Sequence, residues 1–263
     1  MRSAFLSLVL LAGCEAPRQV AGEQAATVES PCSTRMFEGS RFTVCPANGA
    51  PIELFTSDAA GTPLRSFAKL EQLLGERASE VAFGMNAGMY DEEGRAIGLS
   101  IEKGEQLHRI NKRGGGGNFG LLPNGVFLVR DRGKAEVVAT SAFESGDDIA
   151  FATQSGPMLV IDGKLHPAFE PDGESRNIRN GVGIAPGGDP VFVISEEPVS
   201  FGKFARLFRD QLKAENALYL DGSVSSLWDP GNGRRDALAE LGPMVVAFRL
   251  AESAPGREGP ARP

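Results

Sequence analysis

The chain has 263 residues, of which 41% are hydrophobic and 23% charged, enough to bury the core of one large globular domain or two small ones. Its 33 glycines exclude a coiled coil and an all-helical bundle, and they indicate many tight turns around short strands. No run of the sequence approaches the roughly 18 consecutive apolar residues of a membrane span. The net charge of −7 argues against duplex nucleic acid as a partner, because phosphate binding needs a basic face.

Residues 1–13 have the pattern of a secretory signal. The start Met1-Arg2-Ser3 precedes a short apolar segment that ends in Leu11-Ala12-Gly13-Cys14 and looks like the lipobox of bacterial lipoproteins. The pattern predicts cleavage before Cys14, which would carry the lipid anchor, and a flexible tether over residues 14–31. An ordinary signal peptide followed by a chance cysteine is the alternative.

Cys32 and Cys45 remain as an even pair once Cys14 is assigned to the lipid. An oxidising compartment would join them, and such a short loop is worth about 3 kcal/mol in the chain-entropy model. A metal site is the rival interpretation, but two cysteines without a nearby histidine fall short of the four ligands of a structural zinc site. The cysteines therefore predict export and a disulfide.

Apolar periodicity predicts short strands and two helices along the rest of the chain. The first strands, at 41–45 and 52–56, are joined by turn residues that include Asn48 and Gly49. One helix is predicted at 66–74, ending at Gly75, and a second at 201–212, capped by Ser200. Further strands are predicted within 81–99 and 119–138 and at 149–153, 158–161, 191–195, 216–220 and 244–250.

The order of these elements predicts a single domain over residues 32–250. No linker or change in composition interrupts this range. Many strands with only two or three helices, outside strict βαβ order, are typical of an α+β fold with a mixed, mostly antiparallel sheet and a few packing helices. The tail 251–263, rich in proline, glycine and charge, is predicted to be disordered.

Polar residues stand at the ends of apolar strands in several places, where side chains from a rigid sheet can converge on one ligand. Taken singly, an asparagine or aspartate beside glycine is more often a turn former than a ligand. The glycine run at 114–117 is as compatible with a flexible surface loop as with a lid. The segments that carry these polar residues at strand ends are 83–91, 114–119, 152–158, 176–183 and 218–226.

Several common catalytic motifs are missing from these segments. The glycine run lacks the lysine and Ser/Thr of a P-loop, and Ser155 lacks the flanking glycines of a nucleophile elbow. The chain has two histidines, His108 and His166, and both lie outside the segments, which disfavours a Ser-His-Asp triad and a His-rich metal site. Carboxylates, amides and guanidinium groups remain, and these suit sugars and phosphates.

At these residues the sequence resembles the phosphodiester glycosidase family, and within it a bacterial branch of exported proteins. Ser223 and Asn180 depart from the family pattern, which usually has a second glycine and a threonine at these positions. The resemblance covers residues 32–249. The matching pieces, in family order, are Asn86-Ala87-Gly88-Met89-Tyr90, Gly117-Asn118-Phe119, Gln154-Ser155-Gly156-Pro157, Arg179-Asn180-Gly181-Val182-Gly183 and Ala217-Leu218-Tyr219-Leu220-Asp221-Gly222.

The resemblance implies a hydrolase that cleaves a sugar-1-phosphodiester through an oxocarbenium-like state. Asp221 is the expected nucleophile or general base, and Arg179 is the expected phosphate clamp, helped by backbone amides of residues 114–117. Asp91 and Glu196 are the reserve candidates for an acid/base partner of Asp221. A structural role for Asp221, capping local amides, is the alternative. The expected substrate contacts are Asn86, Asn118, Gln154, Ser155, Gly156, Asn180, Gly222 and Ser225, with Ser226 secondary.

The implied partner is a carbohydrate phosphodiester or a cell-envelope glycan, with attachment to a membrane through the N-terminal lipid. The implied location is the bacterial cell envelope, on its periplasmic or extracellular face. No cofactor is implied; a divalent cation near Asp221 is compatible with the sequence, although no metal-ligand spacing demands one. Two other classes stay open, a non-catalytic glycan-binding lipoprotein, which the departures at Asn180 and Ser223 favour, and a structural envelope protein.

Overall fold

A computed structural model describes residues 29–250. The predicted signal peptide, the lipidation site Cys14, the tether up to residue 28 and the tail 251–263 lie outside this range. Within it, no helix combines the length and the apolar character that crossing a membrane requires.

Short strands account for most of the regular structure. In chain order they are β1 (Ser33–Phe37), β2 (Ser40–Pro46), β3 (Ile52–Phe55), β4 (Val81–Asn86), β5 (Ser100–Glu102), β6 (Glu105–His108), β7 (Gly125–Arg130), β8 (Ala135–Ala139), β9 (Ile149–Ser155), β10 (Met158–Ile161), β11 (Lys164–Leu165), β12 (Asn180–Ile184), β13 (Pro190–Ser195), β14 (Ala217–Tyr219), β15 (Leu227–Asp229), β16 (Arg234–Arg235) and β17 (Met244–Phe248). The helices are α1 (Phe67–Leu74), α2 (Gly117–Gly120) and α3 (Phe201–Arg206), which continues as a π-helical turn over Leu207–Gln211. Short 3₁₀ segments lie at Gly75–Glu80, Thr140–Ala142, Gly222–Val224 and Pro230–Asn232.

The strands form three antiparallel sheets. The seven-stranded sheet has the order β1-β2-β13-β12-β14-β10-β11. The two five-stranded sheets have the orders β16-β15-β4-β17-β3 and β6-β5-β9-β7-β8. Few helices and mostly antiparallel pairing in one domain confirm the predicted α+β fold class.

One apolar core joins the three sheets. Phe192 of β13 contacts Phe83 of β4 and Phe127 of β7, with ring centroids 5.4 and 5.5 Å apart. Each of these rings comes from a different sheet and is buried. Because the sheets share this core, they fold as one unit and fix the relative positions of their strand ends.

Both predicted helices are present. Ser66 caps α1, its Oγ accepting from the Lys69 N–H, and Gly75 ends it with a φ of 57°. Ser200 caps α3 in the same way through the Lys203 N–H. The seven-stranded sheet has one face on the common core, and helix α3 covers its other face. On that other face Phe204 of α3 packs on Phe42 of β2.

The N-terminal strands differ from the expected pair. The predicted turn forms, with Asn48 and Gly49 at positive φ, but β2 and β3 belong to different sheets and do not pair with each other. Strand β1 occupies the edge of β2 instead. Its side chains are exposed or half-buried, so its sequence lacks the apolar alternation that predicts a strand. A disulfide joins Cys32 to Cys45, as predicted, and ties the start of β1 to β2.

Candidate active site

The predicted polar segments meet where strand ends of the three sheets come together. Asn86 is the last residue of β4, Asn180 is the first of β12, and Asp221 follows the end of β14. Gln154 and Ser155 close β9 in the third sheet. The common core therefore brings residues that are far apart in sequence to one polar region.

A buried hydrogen-bond network centred on two asparagines holds this region together. The Asn180 Nδ2 donates to the main-chain oxygen and the Oδ1 of Asn86, both at 2.9 Å. The Asn86 Nδ2 donates to the carbonyl oxygen of Asp221 at 2.6 Å, and the Asn86 Oδ1 accepts from the Ser226 N–H at 2.8 Å. The Ser225 Oγ lies 3.2 Å from the Asn180 Oδ1. The two amides thus fix the turn that carries Asp221 and the serines after it.

Replacing Asn180 tests this network through stability. Asn180→Ala should lower the free energy of unfolding by about 2 kcal/mol, because buried groups lose their partners. Asn180→Asp should cost more at neutral pH, since a carboxylate would face two oxygen acceptors of Asn86 instead of donating to them. Urea unfolding of both variants measures the difference, which should shrink in acid. Equal stability of the two variants at neutral pH would contradict this arrangement.

The Asp221 carboxylate is half-buried at the start of the turn after β14. Its Oδ1 accepts from the Ser223 N–H at 3.1 Å, and within residues 29–250 its Oδ2 has no hydrogen-bond partner and no cation pairs with it. Burial raises the pKa of Asp221, and the hydrogen bond from Ser223 opposes that shift. A carboxyl with one free oxygen and a raised pKa suits proton transfer with an adjacent ligand.

The raised pKa predicts that Asp221→Asn stabilises the folded protein at neutral pH. The folded state binds a proton on this carboxyl more tightly than the unfolded state does. The stability that the carboxyl contributes is therefore present below the unfolded pKa and is lost as pH rises through the folded pKa. Asparagine does not ionise, so calorimetry should show the Tm of the variant, relative to wild type, rising by a few degrees from about pH 3 to about pH 7. A difference independent of pH would count against the burial of this carboxyl.

Gly222 is packed directly against Tyr219. A Cβ at Gly222 would overlap the Tyr219 hydroxyl, so the position requires glycine for space. Burial raises the pKa of Tyr219 to about 12, against the opposing effect of the Arg179 guanidinium. Tyr219 therefore stays a neutral phenol beneath the turn that presents Asp221.

Arg179 lies on the opposite face of the seven-stranded sheet from Asn180, because successive residues of a strand point to opposite faces. Its exposed fraction is 0%, and its guanidinium stacks on Phe201 with the Cζ 3.5 Å from the ring centroid. The Nη1 donates to the Tyr219 Oη at 3.3 Å, and the Nη2 donates to the Ser175 carbonyl at 2.8 Å. This differs from the expected phosphate clamp, because a side chain without exposure cannot touch a ligand. Arg179 instead supports Tyr219.

Gln154 also has its polar atoms engaged inside the protein. Its Oε1 accepts from the N–H groups of Leu99 and Asn111, both at 2.9 Å. Its Nε2 donates to the Asn111 carbonyl at 2.7 Å and to the Thr140 Oγ1 at 3.0 Å. The side chain therefore joins three segments of the chain, which differs from the expected contact with sugar hydroxyls.

The other predicted contacts lie around the Gly156–Pro157 turn. The Ser155 Oγ is buried and has no hydrogen-bond partner among the residues that the structure describes. A Cβ at Gly156 would lie 2.6 Å from the Asn124 Cβ and 3.4 Å from the Asn118 carbonyl oxygen. Asn118 is half-buried in α2, directly after the exposed glycines 114–117. These contacts place the glycine segment next to the end of β9.

Each of the reserve carboxylates is paired with an arginine. The Asp91 Oδ2 lies 2.9 Å from the Arg95 Nη2, and hydrogen bonds from the Arg95 N–H and side chain hold the pKa of Asp91 below its ordinary value. The Glu196 Oε1 accepts from the Arg234 Nη1 at 2.6 Å. No group of three or more His, Cys, Asp and Glu side chains within residues 29–250 is placed to hold a metal ion.

Sequence reasoning missed Tyr219 and Thr153. Tyr219 links Arg179 to the Asp221 turn, and the Thr153 Oγ1 accepts from the Gly88 N–H at 3.1 Å, joining β9 to the segment after β4. Tyr219 is one of two tyrosines in the chain and stands in an otherwise apolar strand, which is the one available signal. The sequence gives no comparable signal for Thr153, because threonine is common in strands.

The match to a known protein family covers the same polar segments. The family model of phosphodiester glycosidase matches residues 79–237. The Escherichia coli (strain K12) protein YigE is 41% identical over 152 residues, which are 58% of this chain and 59% of YigE. The chain thus spans somewhat less than two thirds of the length of this relative.

Two solved structures share the fold at low sequence identity. The catalytic domain of zebrafish N-acetylglucosamine-1-phosphodiester alpha-N-acetylglucosaminidase, auto-inhibited by its pro-peptide, aligns with a TM-score of 0.57 and 14% identity over 84% of this chain and 82% of its own. A Burkholderia pseudomallei K96243 protein named as exported aligns with a TM-score of 0.50 and 12% identity over 80% of this chain and 73% of its own. With the family model spanning all five polar segments, the chain belongs to the phosphodiester glycosidase family.

Proposed function

We propose that this protein hydrolyses a sugar-1-phosphodiester, of the kind formed by N-acetylglucosamine 1-phosphate, and releases the free sugar and a phosphomonoester. The observation that carries the proposal is the half-buried Asp221 carboxyl with one free oxygen. Its turn is fixed by the buried amides of Asn86 and Asn180. Membership of the phosphodiester glycosidase family supports the reaction class.

The proposed reaction breaks the bond between the anomeric carbon and the bridging phosphate oxygen. The electron pair of that bond leaves with the phosphomonoester, and the oxygen of a water molecule ends on the sugar carbon. Asp221 either removes a proton from the attacking water or attacks the carbon itself before water releases the sugar. The phosphomonoester is already a stable anion, so protonation of the leaving group matters less than for an ordinary glycoside, and one carboxylate suffices.

The other residues of the region act around Asp221 in this proposal. Asn86 and Asn180 hold the Asp221 turn, and Ser225 and Gly222 border it. Arg179 is a positioning residue, since it holds Tyr219 beneath Gly222. The exposed backbone amides of residues 114–117 are the proposed donors to the phosphate, with Asn118 beside them. Gln154 positions the segments around the site.

A non-catalytic glycan-binding protein is the second candidate, favoured by Asn180 and Ser223 in place of the family's usual threonine and glycine. Incubating the purified protein with a methyl phosphodiester of N-acetylglucosamine 1-phosphate separates the two. An enzyme releases free N-acetylglucosamine and methyl phosphate in parallel amounts. A binding protein shows saturable affinity in a titration and releases no sugar.

We also propose that the protein is exported and attached to a bacterial membrane through a lipid on Cys14. The leader pattern before Cys14 and the Cys32–Cys45 disulfide support this location. Radiolabelled palmitate should enter the full-length protein in a bacterial host and should not enter the Cys14→Ser variant. Equal labelling of both proteins, or none of either, would contradict lipid attachment at this residue.

A further inference from the structure

A loop near the candidate active site concentrates positive charge in a protein whose net charge is −7. This loop, which we call the basic loop, is residues 109–117, and no aspartate or glutamate occurs between residues 106 and 130. Whereas Arg95 and Arg130 are paired with carboxylates, no carboxylate of residues 29–250 pairs with the cations of the basic loop. These exposed cations are Arg109, Lys112 and Arg113.

Buried hydrogen bonds hold the basic loop in one position. Asn111, which lies between Arg109 and Lys112 in the chain, has its N–H and its carbonyl bound by the Gln154 amide at 2.9 and 2.7 Å. Gln154 is 1% exposed. The Asn111 Oδ1 accepts from the Arg113 N–H at 3.1 Å. Because the main chain is fixed at these points, a ligand that binds the cations does not have to order the loop.

Half-buried residues connect Asp221 to the basic loop. The Asp221 N–H donates to the Ala87 carbonyl at 3.0 Å, and two residues further on the Met89 carbonyl accepts from the Ile97 N–H at 3.1 Å. The Ile97 carbonyl accepts from the Asn111 Nδ2 at 3.3 Å. Met89, Ile97 and Asn111 are half-buried, so the connection reaches the surface at each of them. An extended chain advances about 3.3 Å per residue, so these steps place Asn111 roughly 10 to 20 Å from Asp221.

This separation suits a second anionic group on the substrate. In the proposed reaction the phosphorus of the cleaved diester is two bonds from the anomeric carbon, so it lies next to Asp221. The basic loop is further away than one phosphate group extends, whereas a phosphate at the far end of a short alcohol can reach it. Arginine binds phosphate through two parallel hydrogen bonds, and lysine binds it as a point charge.

We infer that the basic loop binds a second phosphate group, carried by the alcohol half of the substrate, and that the protein prefers substrates with at least two phosphates. The inference rests on the proposed function, because it places the sugar and the cleaved diester at Asp221. Since the net charge of the protein is −7, its overall field repels a more anionic substrate. A preference for such a substrate therefore requires a local group of cations.

Two esters that differ by one phosphate test this preference. In them N-acetylglucosamine 1-phosphate is esterified to glycerol 3-phosphate or to glycerol. At low ionic strength the ester of glycerol 3-phosphate should have a kcat/KM about tenfold higher. In about 1 M salt the ratio of the two kcat/KM values should fall close to one, because salt screens exposed charges. A ratio near one at low ionic strength would overturn the inference.

Neutralising the basic loop should remove the preference. The variant combines Arg109→Gln, Lys112→Gln and Arg113→Gln, which change exposed side chains and retain the main-chain contacts with Gln154. At low ionic strength its ratio of the two kcat/KM values should fall close to one. A ratio as high as that of the wild type would overturn the inference.

The matched control removes three other exposed cations and has the same net charge as the basic-loop variant. It combines Arg132→Gln, Lys164→Gln and Lys213→Gln. Arg132 follows β7, Lys164 pairs with the last residue of β10, and Lys213 precedes β14, each at the strand end away from Asp221. The control should keep the wild-type ratio. An equal fall in both variants would show that total charge sets the ratio and would overturn the inference.

A binding measurement separates this inference from the proposed function. Glycerol 1,3-bisphosphate and glycerol 3-phosphate lack the sugar, so their affinities, measured by calorimetric titration at low ionic strength, do not depend on catalysis. The bisphosphate should bind about tenfold more tightly to the wild type and to the control, and the basic-loop variant should lose this difference. Equal affinities in the wild type would refute the second phosphate site even if both esters are hydrolysed. Release of no sugar from either ester, together with selective binding of the bisphosphate, would refute the proposed function alone.

Discussion

Replacing Asp221 with asparagine is expected to lower the rate of hydrolysis of a sugar-1-phosphodiester by about 10³-fold or more, because the amide can neither accept a proton nor attack carbon. The Asn Oδ1 can still accept from the Ser223 N–H, so the turn is retained. Release of N-acetylglucosamine measures the rate, and near-ultraviolet circular dichroism checks the fold. Turnover close to wild type would remove Asp221 from the chemistry.

Asp58→Asn is the matched control for this variant. Asp58 is a turn aspartate like Asp221, and its Oδ1 accepts from the N–H groups of Ala60 and Thr62, both at 2.9 Å. It lies outside the polar region around Asn86 and Asn180. The Asp58→Asn variant should hydrolyse the substrate at the wild-type rate. A similar loss in both variants would mean that turn stability, and not the chemistry of Asp221, sets the rate.

Gly222→Ala is expected to destabilise the protein by about 2 to 3 kcal/mol and to abolish hydrolysis, because the added methyl group overfills a packed site. The methyl group would overlap the Tyr219 hydroxyl, so either the tyrosine or the Asp221 turn must move. Thermal unfolding and sugar release measure the two effects. Wild-type stability together with wild-type activity would contradict the packing of Gly222 on Tyr219.

Gly173→Ala serves as the control for that substitution. A Cβ at Gly173 would meet its nearest neighbour, the Glu170 Cβ, at 3.6 Å, which is an ordinary contact. The variant should therefore keep the stability and activity of the wild type. A loss in Gly173→Ala as large as in Gly222→Ala would show that added volume at Gly222 is not the cause.

Ser223, which stands where the family usually has a second glycine, is compatible with the backbone geometry of the Asp221 turn. Ser223 is not among the residues with positive φ, so the backbone there does not require a second glycine. Its N–H donates to the Asp221 Oδ1. At the other departure, the Asn180 Nδ2 donates to two oxygens of Asn86, which a threonine hydroxyl with a single proton cannot do. The Asn180 side chain therefore supplies hydrogen bonds of its own, whereas the N–H at position 223 is one that a glycine would supply equally.

The sequence could predict which strand ends carry polar groups, and the structure brings Asn86, Asn180, Asp221 and Ser225 together. It could not predict the direction of each side chain. Arg179 and Asn180 are neighbours in sequence, yet they lie on opposite faces of the sheet, and that depends on strand register. Only the folded chain shows that Gln154 uses its amide on the main chain of Leu99 and Asn111.

The sequence likewise predicted the local elements of the fold but not how the strands pair. Both helices have sequence signals in Ser66, Gly75 and Ser200, which cap them locally. Strand partners depend on contacts distant in sequence, so the separation of β2 and β3 into different sheets has no local signal.

Hydrolysis in water enriched with ¹⁸O tests the central claim most directly. The substrate is a methyl phosphodiester of N-acetylglucosamine 1-phosphate, and mass spectrometry locates the label in the two products. Cleavage of the bond at the anomeric carbon places ¹⁸O in the free sugar and leaves the methyl phosphate unlabelled, which is the result expected here. Label in the methyl phosphate would mean attack at phosphorus and would contradict a glycosidase acting through Asp221, as would the release of no sugar.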